Sequence, residues 1–375
     1  MQATSAFSFS ARLFFSIVAA VGVVLWVWLP EASASDSLLA GIRIEAPLDF
    51  CGEPVPLDDT EAMERLEKEL MLSLWDRPQA ILWLKRTRRY FPVIETILKT
   101  HGLPEDLKYL AVAESALRPH AGSSRGAIGF WQFMPATGRR YGLRVDAHMD
   151  DRRNLFRSTE AAVQYLRELY EDLGSWTLAA AAYNMGEDGL KAEILAQEIG
   201  DYYRLYLPLE TQRYVFRILS VKLILESPER FGFHLAESDY YARETFDRLT
   251  VDCPEEASLS VVAAAAGTDF KRIKDLNPEI RGHYLEKGRH EILVPVGASK
   301  GFAKRFEKLH RAWVRDRGER IYIVRKGDNL SAIAERFGVP LAALLIWNRV
   351  DLKKTIHPGD RLIIHTLSDE PLSND

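Results

Sequence analysis

The chain has 375 residues, 47% of them hydrophobic, which is enough for two or three domains with apolar cores. Its 49 lysines and arginines stand against 53 aspartates and glutamates, so the basic excess typical of nucleic-acid-binding proteins is missing. The sequence has no phosphate-binding glycine loop with lysine and no cysteine or histidine cluster at metal-ligand spacing. We therefore expect no nucleic-acid partner, no metal and no other cofactor, and we interpret His283 and His290 as loop residues.

The N-terminus predicts export. An apolar run over residues 13–29 follows Arg12 and precedes the small-residue sequence that ends at Ala34. This order is typical of a secretory signal over residues 1–34, cleaved after Ala34. The run is about as long as a short membrane span, so a retained anchor is the alternative. We expect a bacterial periplasmic or cell-envelope protein, with peripheral or anchored membrane association left open.

Helical periodicity dominates the next part of the chain. We predict an N-terminal helical arm over residues 35–89 and an all-α domain over residues 90–240, because no strand pattern interrupts the helices. The predicted helices cover residues 58–88 with a break at Pro78, then 90–101, 105–115, 158–173, 177–182, 189–196 and 210–226.

Glu114 is the only carboxylate between Leu107 and Val145. It lies near the end of an apolar helix that Pro119 prevents from continuing. A carboxylate in that position is desolvated, which raises its pKa as a general acid near neutral pH requires. The alternative is a structural carboxylate that caps the helix or pairs with Arg118.

The segment after Glu114 has the composition of a sugar site. Three glycines between Gly122 and Gly129 permit close approach of backbone to a ligand. Phe130, Trp131 and Phe133 add aromatic area around the Gln132 amide, a combination suited to sugar rings. Core packing is the alternative for these rings. Further along, Tyr183 and Asn184 end a helix of small residues, where their polar tips can face a cleft.

Several motifs in a fixed order resemble the soluble lytic transglycosylase family, in particular its lytic murein transglycosylase D branch, over residues 90–231. They comprise Glu114-Ser115, Ser123, Gly126-Ala127, residues 129–138, Asp151-Arg152, residues 158–162, residues 182–184, and Glu210, Thr211, Tyr214 and Val215. The resemblance implies a lysozyme-like fold that binds peptidoglycan glycan strands. The substrate-binding residues it implies are Ser115, Ser123, Gly129, Phe130, Trp131, Gln132, Tyr183, Asn184 and Tyr214.

The resemblance also implies the reaction. The bond from N-acetylmuramic acid to N-acetylglucosamine is cleaved, and Glu114 acts first as acid and then as base to form a 1,6-anhydro end. The residues independently favour a single acid, because paired-carboxylate glycosidases need a second one near the bond. The nearest in sequence, Asp150 and Asp151, precede two arginines and are interpreted as structural.

The composition changes after residue 245. Residues 249–296 predict a strand, two helices and a strand, which we interpret as a diverged, mainly structural LysM-like domain over residues 245–298. A basic, solvated linker helix is expected over residues 299–320, with eight lysines or arginines against three acids in 300–320.

Residues 321–366 repeat the strand–helix–helix–strand order around a Gly327-Asp328 turn and resemble a LysM module, followed by a tail over residues 367–375. The overall prediction is an all-α catalytic domain followed by small α+β modules. The LysM resemblance implies binding of N-acetylglucosamine polymers by Asp328, Asn329 and Leu330, with Val350 and Leu352 opposite.

Cys51 and Cys253 lie on either side of the predicted catalytic domain. An exported protein favours pairing, and two separate thiols are equally consistent with the sequence. Three other functions stay open: a goose-type-lysozyme-like hydrolase, a catalytically inactive wall-binding scaffold, and a chitin-directed enzyme. The sequence does not define an oligomeric state.

Overall fold

The computed structural model describes residues 42–319, 321–350 and 355–364. The predicted signal segment with its cleavage site, Leu352 and the C-terminal tail lie outside the described residues. The described residues form three hydrophobic cores, and each core corresponds to one stretch of the chain.

The first core is built from helices, as predicted. They are α1 (Thr60–Trp75), α2 (Arg77–Thr100), α3 (Lys108–Ser115), α4 (Pro135–Arg140), α5 (Leu155–Leu173), α6 (Trp176–Met185), α7 (Glu187–Gln197) and α8 (Leu209–Glu226). Helix α8 contacts α1, α3 and α6, so it is the central packing element of this domain. The sequence missed α4, whose six residues lack an apolar repeat.

The predicted break at Pro78 is wrong in position. Pro78 lies in the first turn of α2, where a missing N–H costs nothing, and Asp76 caps this helix by accepting from the Gln79 amide. The helix then continues past residue 89 to Thr100 and includes Pro92. The helices predicted after Pro78 and over residues 90–101 are therefore one continuous helix.

The N-terminal arm also contains a short hairpin that the helical periodicity did not predict. Strand β1 (Asp49–Phe50) pairs antiparallel with β2 (Glu53–Pro54). Phe50 is fully buried in the first core. The Glu53 carboxylate accepts from the Trp176 and Thr177 amides at the start of α6. The arm is thus part of the helical domain.

The second core contains the LysM-like domain. Strands β3 (Phe246–Cys253) and β6 (Gly288–Pro295) pair antiparallel, as do β4 (Ala257–Ser258) and β5 (Tyr284–Leu285), and α9 (Leu259–Ala265) and α10 (Phe270–Leu276) cover them. His290 lies on β6, where its Nε2 donates to the Glu286 carbonyl at 2.8 Å, so its interpretation as a loop residue is wrong.

The predicted linker helix does not run free in solvent. Helix α11 (Phe302–Glu319) packs against α9, and Phe302 and Phe306 are buried in the second core. His310, one turn further along, is also buried and donates to the Glu256 carbonyl at 3.0 Å. Lys304, Lys308 and Arg311 are exposed on the outer face of this helix, which is why composition alone indicated a solvated helix.

The third core is the LysM module, with β7 (Ile321–Ile323), α12 (Leu330–Arg336), α13 (Leu341–Asn348) and β8 (Arg361–Ile363) in the predicted order. Both modules share one asparagine network. Asn277 donates to the Ile273 and Leu293 carbonyls and accepts from the Leu293 amide. Asn348 makes the same three bonds with the corresponding backbone groups of Leu344 and Ile363.

The candidate disulfide is wrong. Cys51 and Cys253 are both free, and they lie in different cores. Cys51 packs against the helical domain, where burial first and then the Asp106 carboxylate raise the pKa of its thiol. Cys253 ends β3, and its side chain points into the core of the second domain.

Within the described parts of the chain, no single helix is long and apolar enough to cross a membrane. The bent pair α12 and α13 meets that criterion by length and composition alone.

Candidate active site

Glu114 lies in the last turn of α3, half-buried beneath α8. The Tyr214 hydroxyl, from α8, donates to its Oε1 at 2.5 Å. Burial raises the pKa of Glu114 to about 7, against smaller lowering effects of the Tyr214 hydrogen bond and the Arg217 charge. The predicted raised pKa of Glu114 is therefore present, and the carboxyl is partly protonated at neutral pH.

Two tyrosines surround this acid. Tyr214 is 1% exposed, and Tyr183, at the end of α6, donates to the Trp131 carbonyl at 2.7 Å. Burial first, and then the Glu114 charge, raise the pKa of both hydroxyls well above the ordinary value. Both side chains therefore stay protonated and act as hydrogen-bond donors next to the carboxyl group.

The end of α3 is sharp because Ala116 and Leu117 adopt left-handed backbone conformations, with φ of 53° and 57°. Such conformations cost a residue with a Cβ roughly 1–2 kcal/mol each. Ser115 secures the turn: its buried Oγ donates to the Phe130 carbonyl at 2.8 Å and lies 3.0 Å from that of Ala111. Ser115 thus connects the acid-bearing helix to the following loop.

The loop from Gly122 to Phe133 depends on a buried ion pair. Arg152 and Asp150 are 4% and 1% exposed and pair at 2.8 Å, and Arg152 also donates to the Gly126 and Phe133 carbonyls at 2.9 Å. A Cβ at Gly129 would lie 1.7 Å from the Arg152 carbonyl oxygen, so only glycine fits there. Asp150, interpreted as structural from the sequence, therefore helps to hold this loop in place through Arg152.

Gln132 occupies the tip of the loop in a left-handed conformation, with φ of 48°. Its side-chain amide donates to the Ala121 and Gly129 carbonyls at 3.1 and 2.9 Å. Asn184 accepts from the Thr211 hydroxyl at 2.9 Å, which connects the ends of α6 and α8. These contacts orient the amides without occupying all of their polar groups.

Two predicted sugar contacts are wrong as ring contacts. Phe130 and Trp131 are 2% and 0% exposed, so their ring faces are not open to a sugar. The Trp131 indole donates to the Thr159 hydroxyl at 3.0 Å, and the ring packs in the first core. Ser123 is exposed, and its Oγ accepts from the Ala127 amide at 3.1 Å, which shapes the glycine loop.

Sequence reasoning missed Arg217, Arg152 and Thr211 as parts of the site. Arg217 lies one helical turn after Tyr214, and that spacing places both on one face of α8. Thr211 and Arg152 lie inside motifs that were recognised as motifs but given no role. Their long-range partners, rather than their spacing, reveal what they do.

Of the LysM residues predicted to contact glycan, some lie at the surface and one is buried in the core. Asp328 accepts from the Tyr322 hydroxyl at 2.8 Å and the Arg325 amide at 2.7 Å, and exposed Asn329 caps α12. Leu330 is buried in the third core, so its prediction as a glycan contact is wrong for the side chain. Val350 is half-buried and its amide donates to the Leu345 carbonyl.

Three family matches agree with this organisation. The Transglycosylase SLT domain matches residues 91–203, the LysM-like domain of lytic transglycosylase MltD matches residues 247–311, and the LysM domain matches residues 322–365. The chain therefore carries a transglycosylase SLT domain followed by two LysM-type modules.

Within this class, the chain is similar to membrane-bound lytic murein transglycosylase D of Escherichia coli (strain K12), with 32% identity over 293 residues. This alignment covers 74% of the chain and 64% of the relative, so the chain spans a little less than two thirds of that protein. A putative tributyltin chloride resistance protein of Alteromonas sp. (strain M-1) is 32% identical over 110 residues, 28% of this chain and 53% of the relative. The predicted family resemblance is confirmed.

Two solved structures also match parts of the chain. An inactive mutant of lytic transglycosylase Slt from Pseudomonas aeruginosa has 21% identity and a TM-score of 0.29, covering 41% of this chain and 26% of its own. The 70 kDa soluble lytic transglycosylase of Escherichia coli has 16% identity and a TM-score of 0.34, covering 48% and 33%.

Proposed function

We propose that this protein is a peptidoglycan lytic transglycosylase of the cell envelope. It cleaves the β-1,4 bond from N-acetylmuramic acid to N-acetylglucosamine and leaves a 1,6-anhydro end. The observation that carries the proposal is the state of Glu114: a carboxyl with pKa about 7, hydrogen-bonded to Tyr214, at the end of a helix in a transglycosylase SLT domain.

In the proposed reaction, the Glu114 carboxyl gives its proton to the glycosidic oxygen as the bond from that oxygen to C1 breaks. The C6 hydroxyl oxygen of the muramoyl sugar then bonds to C1, and its proton goes to the Glu114 carboxylate. One residue is thus acid and then base, and it ends in its starting state. A pKa near the working pH suits both roles.

The surrounding residues assist by position. The Tyr214 hydroxyl stabilises the carboxylate that forms after the first proton transfer, since it donates to Oε1. Ser115 and the ion pair of Asp150 and Arg152 hold the loop against α3. Gln132, Tyr183 and Asn184 orient sugar groups through the polar atoms that their internal hydrogen bonds leave available.

The second candidate is a hydrolase of the same bond. A hydrolase needs a further carboxylate to activate water, and exposed Glu210 is the acid whose charge acts on Glu114. Glu210 is paired with Arg217 at 3.2 Å, which favours a role in the charge balance of the site instead.

Mass spectrometry of digested peptidoglycan decides between the candidates. Anhydro ends support the transglycosylase, reducing ends support the hydrolase, and no cleavage of purified wall supports an inactive scaffold. Parallel digestion of chitin oligomers tests the chitin-directed alternative. The LysM module, in this proposal, holds the enzyme on the insoluble glycan through Asp328, Asn329 and the region of Val350.

A further inference from the structure

A cavity of about 320 Å³ lies at the junction between the helical domain and the LysM-like domain. Residues from α2, the loop after Glu114 and the start of α5 form one side, and α10 and the two long strands of the second domain form the other. Exposed His120 and Asp275 lie at its edge, so the cavity reaches the surface. None of the groups that hydrogen-bond to Glu114 lines it.

Glu279 is the polar feature of this cavity. It is 2% exposed, and its Oε1 accepts from the Asn154 amide at 2.9 Å. Among the described residues, its Oε2 has no hydrogen-bond partner. A buried polar atom left without a partner is destabilising. Because Glu279 lines the cavity, its carboxyl group is suited to a ligand hydroxyl or amide.

The position of Glu279 is well determined by its surroundings. Its carbonyl accepts from the Asp150 amide at 2.8 Å, and the neighbouring Arg281 amide donates to the His148 carbonyl at 2.7 Å. Asn154, which holds the carboxyl, also caps α5. The carboxyl group is therefore fixed by two domains at once.

The walls favour a flat ligand. Half-buried Phe156 and Phe246 line the cavity from opposite domains and meet edge to face at 5.9 Å, and half-buried Tyr90 lines it as well. At the edge, Glu244 lies between Arg89 and Arg272, at 4.0 and 2.9 Å, so it offsets one of their two positive charges. Aromatic walls with one fixed polar group are typical of sites for sugar rings.

We propose that this junction is a second carbohydrate site, which takes one N-acetylhexosamine unit with a hydroxyl or N-acetyl N–H bonded to Glu279 Oε2. The choice of sugar rests on the proposed function, whereas the existence of a site rests on the cavity and its buried carboxyl. Burial raises the pKa of Glu279, which suits a bond to a neutral partner rather than to an ammonium group. The LysM-like domain would then bind glycan together with the catalytic domain.

The test uses the full chain carrying Glu114→Gln, so that the probe is not consumed. The probe is N,N′-diacetylchitobiose, an uncharged sugar dimer, and the readout is hydrogen–deuterium exchange across the whole chain. We expect the dimer to protect residues 150–157 and 270–280. Adding Glu279→Leu should weaken the affinity measured at these segments about tenfold, the effect of one buried hydrogen bond. Glu279→Gln, which keeps an amide oxygen for Asn154, should stay within about threefold.

Two further variants make the test specific. Glu286→Gln removes a carboxylate that pairs with Arg144 and His148 across the same domain junction but does not line the cavity, so it should leave the protection unchanged. Phe246→Trp narrows the cavity without touching Glu279 and should reduce binding even if Glu279→Leu fails to fold. Protection that is absent from both segments, or that survives Glu279→Leu and Phe246→Trp, overturns the proposal. Anhydro ends are scored separately on the unsubstituted chain, so their absence would reject the activity and not this site.

Discussion

The helical domain and the LysM module each contain a carboxyl group that accepts a hydrogen bond from a tyrosine hydroxyl. Tyr214 donates to Glu114 at 2.5 Å, and Tyr322 donates to Asp328 at 2.8 Å. The pKa of Glu114 is nevertheless raised to about 7, whereas that of Asp328 is lowered. The tyrosine hydrogen bond lowers the pKa in both cases, so the other surroundings of each carboxyl group decide the difference.

The backbone explains the rest of the contrast. The Arg325 amide donates to Asp328, and this bond is the largest cause of its lowered pKa. For Glu114, burial at the end of a helix packed under α8 is the largest cause of its raised pKa. One carboxylate thus has a lowered pKa and fixes a turn, while the other has a pKa in the range where an enzyme exchanges protons.

The largest expected effect is on the buried acid. Glu114→Gln keeps the shape of the side chain but removes the exchangeable proton, so we expect the rate to fall about 10²–10⁴-fold, the usual contribution of general acid–base catalysis. Release of soluble fragments from purified wall measures it. Glu210→Gln, which removes an exposed neighbouring carboxylate, is the matched control and should reduce the rate far less. Near-normal turnover of Glu114→Gln would rule this residue out.

Loss of the LysM module, which contains Asp328, should weaken binding of the enzyme to the insoluble wall without changing the rate of bond cleavage. Truncation after Gly318 should weaken binding to insoluble wall by about 10²-fold, because a second linked site raises the effective concentration of the first. Cleavage of short soluble glycans should stay near the original rate. Pelleting with sacculi measures retention, and equal pelleting of both chains would show that the module is not the anchor.

The pH profile tests the role of burial directly. Because the acid must be protonated, the rate should fall as pH rises through about 7. Tyr214→Phe removes a bond that lowers the pKa of Glu114, so the falling limb should move to higher pH by about one unit. Tyr183→Phe, whose hydroxyl bonds the Trp131 carbonyl instead, is the control. A shift to lower pH in Tyr214→Phe would contradict the assignment.

The raised pKa of Glu114 also makes the stability of the fold depend on pH, and stability should fall as pH rises. The folded protein holds this proton between pH 4.5 and about 7, where the unfolded chain has lost it, so the contribution of Glu114 to stability falls as pH rises through that range. Glu114→Gln should therefore stabilise the fold at pH 8 relative to pH 4, by up to about 3 kcal/mol. Denaturant unfolding at both pH values measures it, and an equal effect at both would contradict the raised pKa.

The smallest effect is expected at the exposed turn. Asp328→Asn keeps one acceptor oxygen but loses the charge that strengthens the bonds from the Tyr322 hydroxyl and the Arg325 amide, so the LysM module should lose about 0.5–1.5 kcal/mol. Thermal unfolding followed by the Trp347 fluorescence measures it. Glu335→Gln, on the same module, should change the stability less. A loss larger than that of a core substitution such as Ile333→Ala would contradict the view of this turn as a surface feature.

Much of this protein could be predicted from its sequence because the deciding patterns are local. The helices of the first domain follow from apolar residues three and four positions apart, and both modules follow from their strand–helix–helix–strand order. Glu114 was identified by its isolation among apolar residues just before Pro119. The errors at Pro78 and α11 arose where the same local pattern fits two structures, and packing selected one of them.

The sequence alone determined that a helical domain is followed by two small α+β modules and that these modules are related. It also determined that a single acid, Glu114, lies among the transglycosylase motifs. Only the tertiary structure decided which rings are core, that Cys51 and Cys253 belong to different cores, and that Arg152 holds the loop beside Glu114. It alone placed Glu279 against Asn154, 125 positions apart in the chain. Such contacts depend on how finished elements pack, and no spacing along the chain encodes their distance.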